Sequence, residues 1–376
     1  MNANSRTAKS IKNSSVALVI FAVDLVLQFY SRKIFLDYLG TEVLGLNTTA
    51  MNLLQFLNLA ELGIGTAVGF TLYKPFYDHD TQTISEVISL QGKLYRRIAY
   101  VVISASAVLM CFFPLIFAKM QLPLWYAYAS FGVLLFSSLL SYFVNYKQIL
   151  LSANQQEYKI QYSYKATLLL KVLAQIFALR YFDNAYVWWL VLEAAFATIA
   201  SVALSLTVKR TYPFIKNTNL SFKELNAKYP TIQTKIKQVF VHKIAGFAMT
   251  QISPLIVYAF TSLTIVALYG NYMLIVFGLA RLSIAIFNGI AAGVGNLVAE
   301  GKREKIISVF EEYFSVRFYM VAVMCFGMLM LAQPIVQLWI GKDYLLSPLS
   351  LYLITGVMFV YIFSGIVGTY LNAFGF

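Results

Sequence analysis

The chain has few charges and very few of the residue types that build soluble enzyme sites. Of its 376 residues only 12% are charged, and it has two cysteines and two histidines. Cys111 and Cys325 both lie in apolar runs, which argues against a disulfide framework and a thiolate metal site. His79 and His242 stand alone, and no zinc-protease, serine-hydrolase or phosphate-loop motif occurs. We therefore expect no metal, no cofactor and no enzymatic activity.

Apolar residues, in contrast, are in large excess. They make up 60% of the chain, and the mean hydropathy is +0.70, as is typical of an integral membrane protein. Short segments of alternating polarity, as in an outer-membrane barrel, are missing, so the sequence predicts an all-α membrane bundle. About 20 helical residues cross the hydrocarbon core. Ten runs are long enough, near 15–36, 43–72, 97–118, 123–146, 161–181, 185–208, 239–261, 265–298, 314–339 and 346–372.

The Lys and Arg residues predict the orientation of this bundle. With the N-terminus in the cytoplasm, 21 of them fall in cytoplasmic segments and three in outer loops. Positive residues accumulate on the cytoplasmic side of membrane proteins, so the N-terminus is predicted to be cytoplasmic. The net charge of +13 is then explained by topology and by the anionic inner leaflet. No nucleic-acid partner is needed to account for it.

A seven-residue motif occurs twice, 226 residues apart. GIGTAVG covers 63–69 and GIAAGVG covers 289–295, and each lies near the cytoplasmic end of a predicted span, ahead of a basic loop. Such repeats are common in transporters built from duplicated bundles. Static packing is the preferred explanation for any single glycine, whereas a stripe at the same place in both halves is what two bundles that move against each other would need. The glycines of the motif are Gly63, Gly65, Gly69, Gly289, Gly293 and Gly295.

Five charged residues lie deep in predicted spans. A charged side chain at a helix centre costs about 2.5 to 3.5 kcal/mol on insertion scales, so each is a candidate site. Lys171 and Glu193 lie at nearly the same depth on consecutive spans, which predicts a structural ion pair. Arg281 is too deep to reach the interface easily. Its partner is predicted to be Asp24 or Glu61, or an anionic substrate.

A resemblance to a known family rests on two stretches, KIFLDYLGTEVLGLN at 33–47 and NLAELGIGTAVGFTLYKPF at 58–76. They resemble bacterial flippases for O-antigen and capsule repeat units, in the multidrug, oligosaccharidyl-lipid and polysaccharide exporter (MOP) superfamily. The resemblance implies a MATE-like bundle of two six-helix lobes facing a central cavity. The predicted spans give a complete first lobe at 1–208, a cytoplasmic loop at 209–238 and a four-helix second lobe at 239–376. We therefore expect a truncated second lobe.

The resemblance also implies a function, the transfer of an undecaprenyl-diphosphate-linked oligosaccharide across the bacterial inner membrane by alternating access. Expected partners are this carrier lipid and the polysaccharide polymerase and export machinery. By the same resemblance, Arg281 is a candidate to bind the diphosphate and Asp24 a candidate for cation coupling. Lys171 and Arg32 are further candidates to bind the substrate in the cavity. Glu61 is predicted either to take part in cation coupling or to orient its span through a capping or inter-helix hydrogen bond.

Other functions stay open at this stage. One alternative is a cation-coupled multidrug exporter of the same fold, which predicts an acidic cavity. Another is a membrane polymerase or glycosyltransferase, although the sizeable catalytic loops that such enzymes need are missing from the sequence. A last alternative is a fragment without activity.

Overall fold

The structure, a computed structural model, describes residues 3–61, 63–216, 218–247 and 252–374. Within these residues every regular element is helical, which confirms the predicted fold class. The chain divides into two compact units, Met1–Val266 and Ala267–Phe376. The division into 1–208, 209–238 and 239–376 stays a prediction.

The helices are named in chain order. The first unit contains α1 (Ala3–Leu57), α2 (Ile64–Tyr77), α3 (Thr81–Cys111), α4 (Phe113–Ile116), α5 (Trp125–Phe143), α6 (Ile149–Ala153), α7 (Glu157–Ile160), α8 (Ala166–Tyr181), α9 (Ala185–Thr211), α10 (Phe222–Lys228), α11 (Pro230–Phe247) and α12 (Ser253–Phe260). The second unit begins within α13 (Leu263–Glu300) and continues with α14 (Arg303–Trp339), α15 (Pro348–Phe363) and α16 (Gly365–Phe374). Short 3₁₀ turns lie at Asn58–Glu61, Asn145–Gln148 and Lys342–Tyr344, and a π-helical turn at Gln161–Lys165.

Seven helical stretches of the described residues are long and apolar enough to cross a membrane, and the chain is a multi-pass membrane protein. They are Lys12–Leu57, Thr81–Cys111, Trp125–Phe143, Ala185–Thr211, Leu263–Ile284, Arg303–Trp339 and Pro348–Leu371. The first carries the predicted span 15–36 and the first part of the predicted span 43–72, and α1 is interrupted between them at Gly40, where φ is 80°. The predicted spans 161–181 and 239–261 are not among the seven. The count of ten therefore stays a prediction.

The predicted second span, 43–72, is broken in its middle. The helix α1 ends at Leu57, a 3₁₀ turn covers Asn58–Glu61, and α2 starts after Gly63. Gly63 has a φ of 98°, which glycine adopts without the strain that a side chain would cause. A Cβ atom there would lie 2.9 Å from the carbonyl oxygen of Ile236 on α11. Gly63 therefore marks a helix break rather than one position of a continuous glycine stripe.

The first unit packs around this broken segment. The helix α1 contacts α5, α8 and α12, and α2 contacts α3, α6 and α11. At Gly45 the backbone of α1 approaches the start of α13 so closely that an added Cβ would lie 1.9 Å from the Leu263 carbonyl oxygen. A Cβ at Gly132 on α5, in contrast, would have no atom within 4 Å. The two glycines therefore differ sharply in what they tolerate.

The segment after α9 docks on the first half of α3. Glu86 is buried there and accepts hydrogen bonds from Lys228 Nζ and Tyr229 Oη, each at 2.6 Å. The Arg97 guanidinium lies 3.6 Å from the centre of the Phe222 ring, as in a cation–π contact. The predicted cytoplasmic loop is thus an ordered, packed element in its described part.

Local hydrogen bonds hold α10 in this docked segment. Ser221 and Glu224 form a capping box, in which each side chain accepts a hydrogen bond from the backbone N–H of the other residue. Hydrogen bonds with Ser221 hold the pKa of Glu224 below its usual value; the bond from the Ser221 backbone N–H has the largest effect, and the bond with its hydroxyl has the next largest. The hydrogen bond to Glu86 raises the pKa of Lys228 above its usual value. Leu225 is fully buried beneath these polar contacts.

The second unit has its own core, with Arg317 beside it on α14. This buried arginine donates from Nε and Nη2 to the carbonyl oxygen of Ile362, at 3.1 and 2.6 Å, and from Nη1 to Tyr313 Oη at 2.7 Å. It therefore satisfies a carbonyl at the end of α15, where orphan acceptors need partners. A Cβ at Gly365, the first residue of α16, would lie 2.2 Å from Nη2, so a side chain there would displace the guanidinium.

Candidate functional site

A cavity of about 850 Å³ opens in the first unit beside the break between α1 and α2. This volume is within the range of about 300 to 1,000 Å³ that small-molecule sites occupy. Residues of α1, α2, α3, α5 and α9 line it, together with the short helices between α5 and α8. Its wall mixes apolar side chains with many hydroxyl, amide and carboxylate groups. The cavity can therefore hold a sizeable polar molecule.

Glu61 lies in this cavity at the helix break. Its Oε1 accepts a hydrogen bond of 3.0 Å from Tyr95 Oη, and Tyr95 is only 5% exposed. Asn58, at the other end of the same 3₁₀ turn, accepts a hydrogen bond of 2.8 Å from Tyr142 Oη. The rings of Tyr95 and Tyr142 lie 5.7 Å apart. Two buried tyrosines thus hold the polar ends of the turn and fix the position of the carboxylate.

A row of hydroxyl groups on α5 forms a second wall. Ser137, Ser138 and Ser141 all line the cavity. Ser141 lies three residues after Ser138 and four after Ser137, spacings that place side chains on one face of a helix. Ser138 Oγ accepts a hydrogen bond of 3.1 Å from Asn58 Nδ2. Ser137 Oγ is buried and has no hydrogen-bond partner in the described part of the chain. A buried hydroxyl without a partner is costly, so a polar ligand would satisfy it.

An ion pair stands at the wall formed by α8 and α9. Lys171 Nζ lies 2.7 Å from Glu193 Oε1, and their side chains are only 16% and 12% exposed. Gln175 Nε2 donates to Glu193 Oε2 at 3.0 Å and to the Trp189 carbonyl oxygen at 3.2 Å. The structure thus brings together the two residues that were predicted to pair. Glu193 also lines the cavity.

The charged residues of the lining are acidic. They are Glu61, Glu157 and Glu193, and the described lining contains no Lys or Arg. Lys171 balances Glu193. Lys235 approaches the edge, where its Nζ lies 5.6 Å from the centre of the Phe70 ring. The family resemblance implies a cationic cavity, whereas this cavity of the first unit carries negative charge.

Comparisons with known proteins place the fold. The sequence matches no family profile and no curated protein. The structure is similar to an inward-facing multidrug resistance MATE family transporter of the MOP superfamily, with 14% identity, a TM-score of 0.60 and coverage of 96% of this chain and 86% of the other. It is also similar to a MATE structure in the bent conformation, with 15% identity, a TM-score of 0.51 and coverage of 98% and 84%. The chain has a MATE-like fold. At this identity the likeness concerns the fold alone.

Three of the predicted glycines, Gly63, Gly65 and Gly69, line the cavity of this MATE-like fold. A Cβ at Gly65 would lie 3.6 Å from Tyr95 Oη, which is an ordinary contact, and a Cβ at Gly69 would lie 3.3 Å from Ile149 Cδ1, which is tight. Their lack of a side chain leaves room in the cavity and lets α6 approach α2. The glycines of the second motif, Gly289, Gly293 and Gly295, belong to α13, and their surroundings lie outside the described residues.

The remaining predicted site residues lie elsewhere in the MATE-like fold. Asp24 Oδ2 accepts a hydrogen bond of 2.6 Å from Gln28, one turn further along α1. Neither Asp24 nor Arg32 is among the described residues that line the cavity. Arg281 is exposed on α13, in the part of that helix that belongs to the second unit. A pairing of Arg281 with Asp24 or Glu61 stays a prediction.

The structure adds site residues that the sequence analysis did not select. Tyr95 and Tyr142 hold the turn, and the α5 serines form the hydroxyl wall. The sequence offers a signal for Ser138 and Tyr142, because these two polar residues lie one helical turn apart within an apolar span. Tyr95 gives no such signal, since its partner Glu61 is 34 residues away in the sequence.

Proposed function

We propose that this protein is a membrane transporter that moves an undecaprenyl-diphosphate-linked oligosaccharide from the inner to the outer leaflet by alternating access. The observation that carries the proposal is the hydroxyl-rich cavity beside the broken helix. Each sugar hydroxyl donates and accepts hydrogen bonds, and serine, asparagine and carboxylate groups match that chemistry. The polyprenyl tail stays in the bilayer, because each buried CH₂ group contributes about 0.8 kcal/mol.

In this proposal Glu61 is the coupling carboxylate. Transporters commonly place substrate and ion sites at breaks in membrane helices, and Glu61 lies at such a break. Tyr95 donates a hydrogen bond to the carboxylate and fixes its position at the turn. Asp24 on α1 is a further coupling candidate.

The diphosphate needs positive charge outside the acidic lining. Lys171 is engaged by Glu193, and Arg281 and Arg32 are the arginine candidates from the sequence. Arginine suits this role because its planar guanidinium binds two phosphate oxygens at once, whereas lysine supplies the charge alone. Arg281→Ala should therefore abolish transport of a diphosphate-linked substrate, and Arg281→Lys should retain part of it.

The proposal is tested with purified protein in liposomes that carry a polyprenyl-diphosphate trisaccharide. Flipping is measured as the rate at which the sugar becomes accessible to an externally added oxidase. The wild-type protein should raise this rate well above that of empty liposomes, and Glu61→Gln should return it towards the background. Liposomes with wild-type protein that behave like empty ones would contradict the proposal.

The acidic lining also favours a second candidate, a cation-coupled exporter of lipophilic cations. Its carboxylates would attract a cationic drug, and the apolar part of the wall would hold its rings. The same liposomes decide between the two when they are given a fluorescent lipophilic cation instead of the lipid-linked sugar. Uptake of the cation without any flipping of the trisaccharide would replace the first candidate by the second.

A further inference from the structure

We infer that the cavity of the first unit selects the saccharide by charge, accepting neutral sugars and amino sugars and rejecting acidic sugars such as hexuronic acids. This inference rests on the proposed flippase function and specifies the substrate of the same cavity. It follows from the sign and position of the charges, from the hydroxyl wall and from the position of the basic groups.

The charges of the lining do not cancel. Glu193 is neutralised by Lys171 at 2.7 Å. Glu61 receives a hydrogen bond from the Tyr95 phenol, which carries no positive charge to balance the carboxylate. Glu157 is exposed in the first turn of α7. The cavity therefore presents two carboxylates that no lysine or arginine of the described lining balances.

These carboxylates oppose a further negative charge. A like charge held about 7 Å from a carboxylate, at an effective dielectric constant of about 20, weakens binding by roughly 10- to 100-fold. An ammonium group at the same place is attracted by a similar factor. A neutral sugar loses nothing, because its hydroxyls donate hydrogen bonds to the carboxylates. Like-charge repulsion of this kind is an effective way to exclude a wrong ligand.

The hydroxyl wall favours a polar ligand. Ser137 lines the cavity, and its Oγ is buried and lacks a hydrogen-bond partner in the described residues. Ser138 and Ser141 stand beside it on α5. An apolar drug would leave the Ser137 hydroxyl unsatisfied, at a cost in binding. A polyhydroxylated ligand matches this wall better, which favours a saccharide over a lipophilic cation as the molecule that this acidic cavity holds.

The diphosphate of the substrate does not contradict this assignment, because the basic groups lie at or beyond the limit of the cavity. Lys235 lies over the Phe70 ring at the edge, and Lys171 is already paired inside the wall. The acidic interior thus meets the sugars, and positive charge is available to the phosphates outside it.

The test uses three polyprenyl-diphosphate trisaccharides that differ in one sugar, a neutral hexose, a 2-amino-2-deoxyhexose or a hexuronic acid. Initial flipping rates are measured in proteoliposomes at neutral pH. The uronic-acid substrate should be flipped at least about tenfold more slowly than the neutral one, and the amino-sugar substrate at least as fast as the neutral one. Equal rates for all three would overturn the inference and leave the proposed function intact.

Two charge-reversal variants assign the selectivity to the cavity. Glu157→Lys should bring the uronic-acid and neutral rates to within about threefold, because it replaces a negative charge of the lining by a positive one. Glu304→Lys is the matched control, since Glu304 is also an exposed glutamate in the first turn of a helix, but one outside the lining. In this control, the ratio of the neutral rate to the uronic-acid rate should equal that of the wild type.

Two other results would overturn the assignment. The first is an unchanged ratio of the neutral rate to the uronic-acid rate in a stable Glu157→Lys protein. If that variant has a lower melting temperature than the wild type, Glu157→Gln replaces it, and the logarithm of this rate ratio should fall by half. The second is transport of a lipophilic cation with none of the three trisaccharides flipped, which would refute the flippase function itself.

Discussion

Removing either partner of the Lys171–Glu193 pair should destabilise the protein, but by different amounts. Removing one partner of a buried ion pair costs about 3 to 5 kcal/mol, because it leaves an uncompensated charge. Both side chains here are less than one fifth exposed, so Glu193→Leu, which strands the lysine, should cost about 3 kcal/mol. Lys171→Met leaves Glu193 with the hydrogen bond from Gln175 at 3.0 Å.

A hydrogen bond to a charged group contributes about 1.5 to 3 kcal/mol, so Lys171→Met should cost only about 1 to 2 kcal/mol. The double variant should be no less stable than Lys171→Met alone, because two apolar side chains in this wall need neither charge nor desolvation. The assay is denaturation of the purified protein in one detergent, followed by circular dichroism, for the four members of the cycle. Additive losses in the double variant, or a larger loss in Lys171→Met than in Glu193→Leu, would refute the reasoning.

Other variants probe the rest of the first unit. Gly45→Ala should cost about 3 kcal/mol, since the new methyl group meets a backbone carbonyl, and Gly132→Ala should not destabilise; equal melting temperatures would contradict this. Tyr95→Phe should slow transport about tenfold at normal abundance by removing a charged hydrogen bond, whereas Tyr100→Phe on the exposed face should not, and equal rates would argue against a positioning role. Glu86→Ala should accelerate hydrogen exchange throughout α10, because it removes the acceptor that holds the docked segment; unchanged protection would mean that packing alone holds it.

The sequence predicts the long helices well, because length and hydropathy are local properties. The predicted spans 123–146 and 185–208 correspond to α5 and α9 within a few residues, and the predicted span 314–339 ends with α14, which begins earlier, at Arg303. The break in the predicted span 43–72 is not visible in the same way. Whether a glycine in an apolar run is helical or left-handed depends on what lies beside it, and at Gly63 that neighbour is a carbonyl of α11.

The residues of the candidate site also differ in whether local sequence properties reveal them. Glu61, Lys171 and Glu193 stand out in the sequence because a charge within a span is costly, and the structure places two of them in one ion pair. Tyr95 does not stand out, since the chain has 26 tyrosines and only tertiary contact shows which one meets a carboxylate. Asp24 and Glu61 both lie deep in their predicted spans, so the sequence makes them equal candidates for cation coupling. Of the two, only Glu61 lines the cavity.

The two candidate functions share every feature of the fold, so the charges must distinguish them. A coupling carboxylate at Glu61 serves either one, and its loss should stop both kinds of transport. A diphosphate, however, needs cations that a lipophilic cation would avoid, and the described lining of the first-unit cavity contains none. Arg281 and Arg32 therefore carry the distinction. If neutral substitutions at these arginines stop flipping of the trisaccharide and leave drug transport unaffected or faster, the positive charge exists for the phosphates and the protein is a flippase.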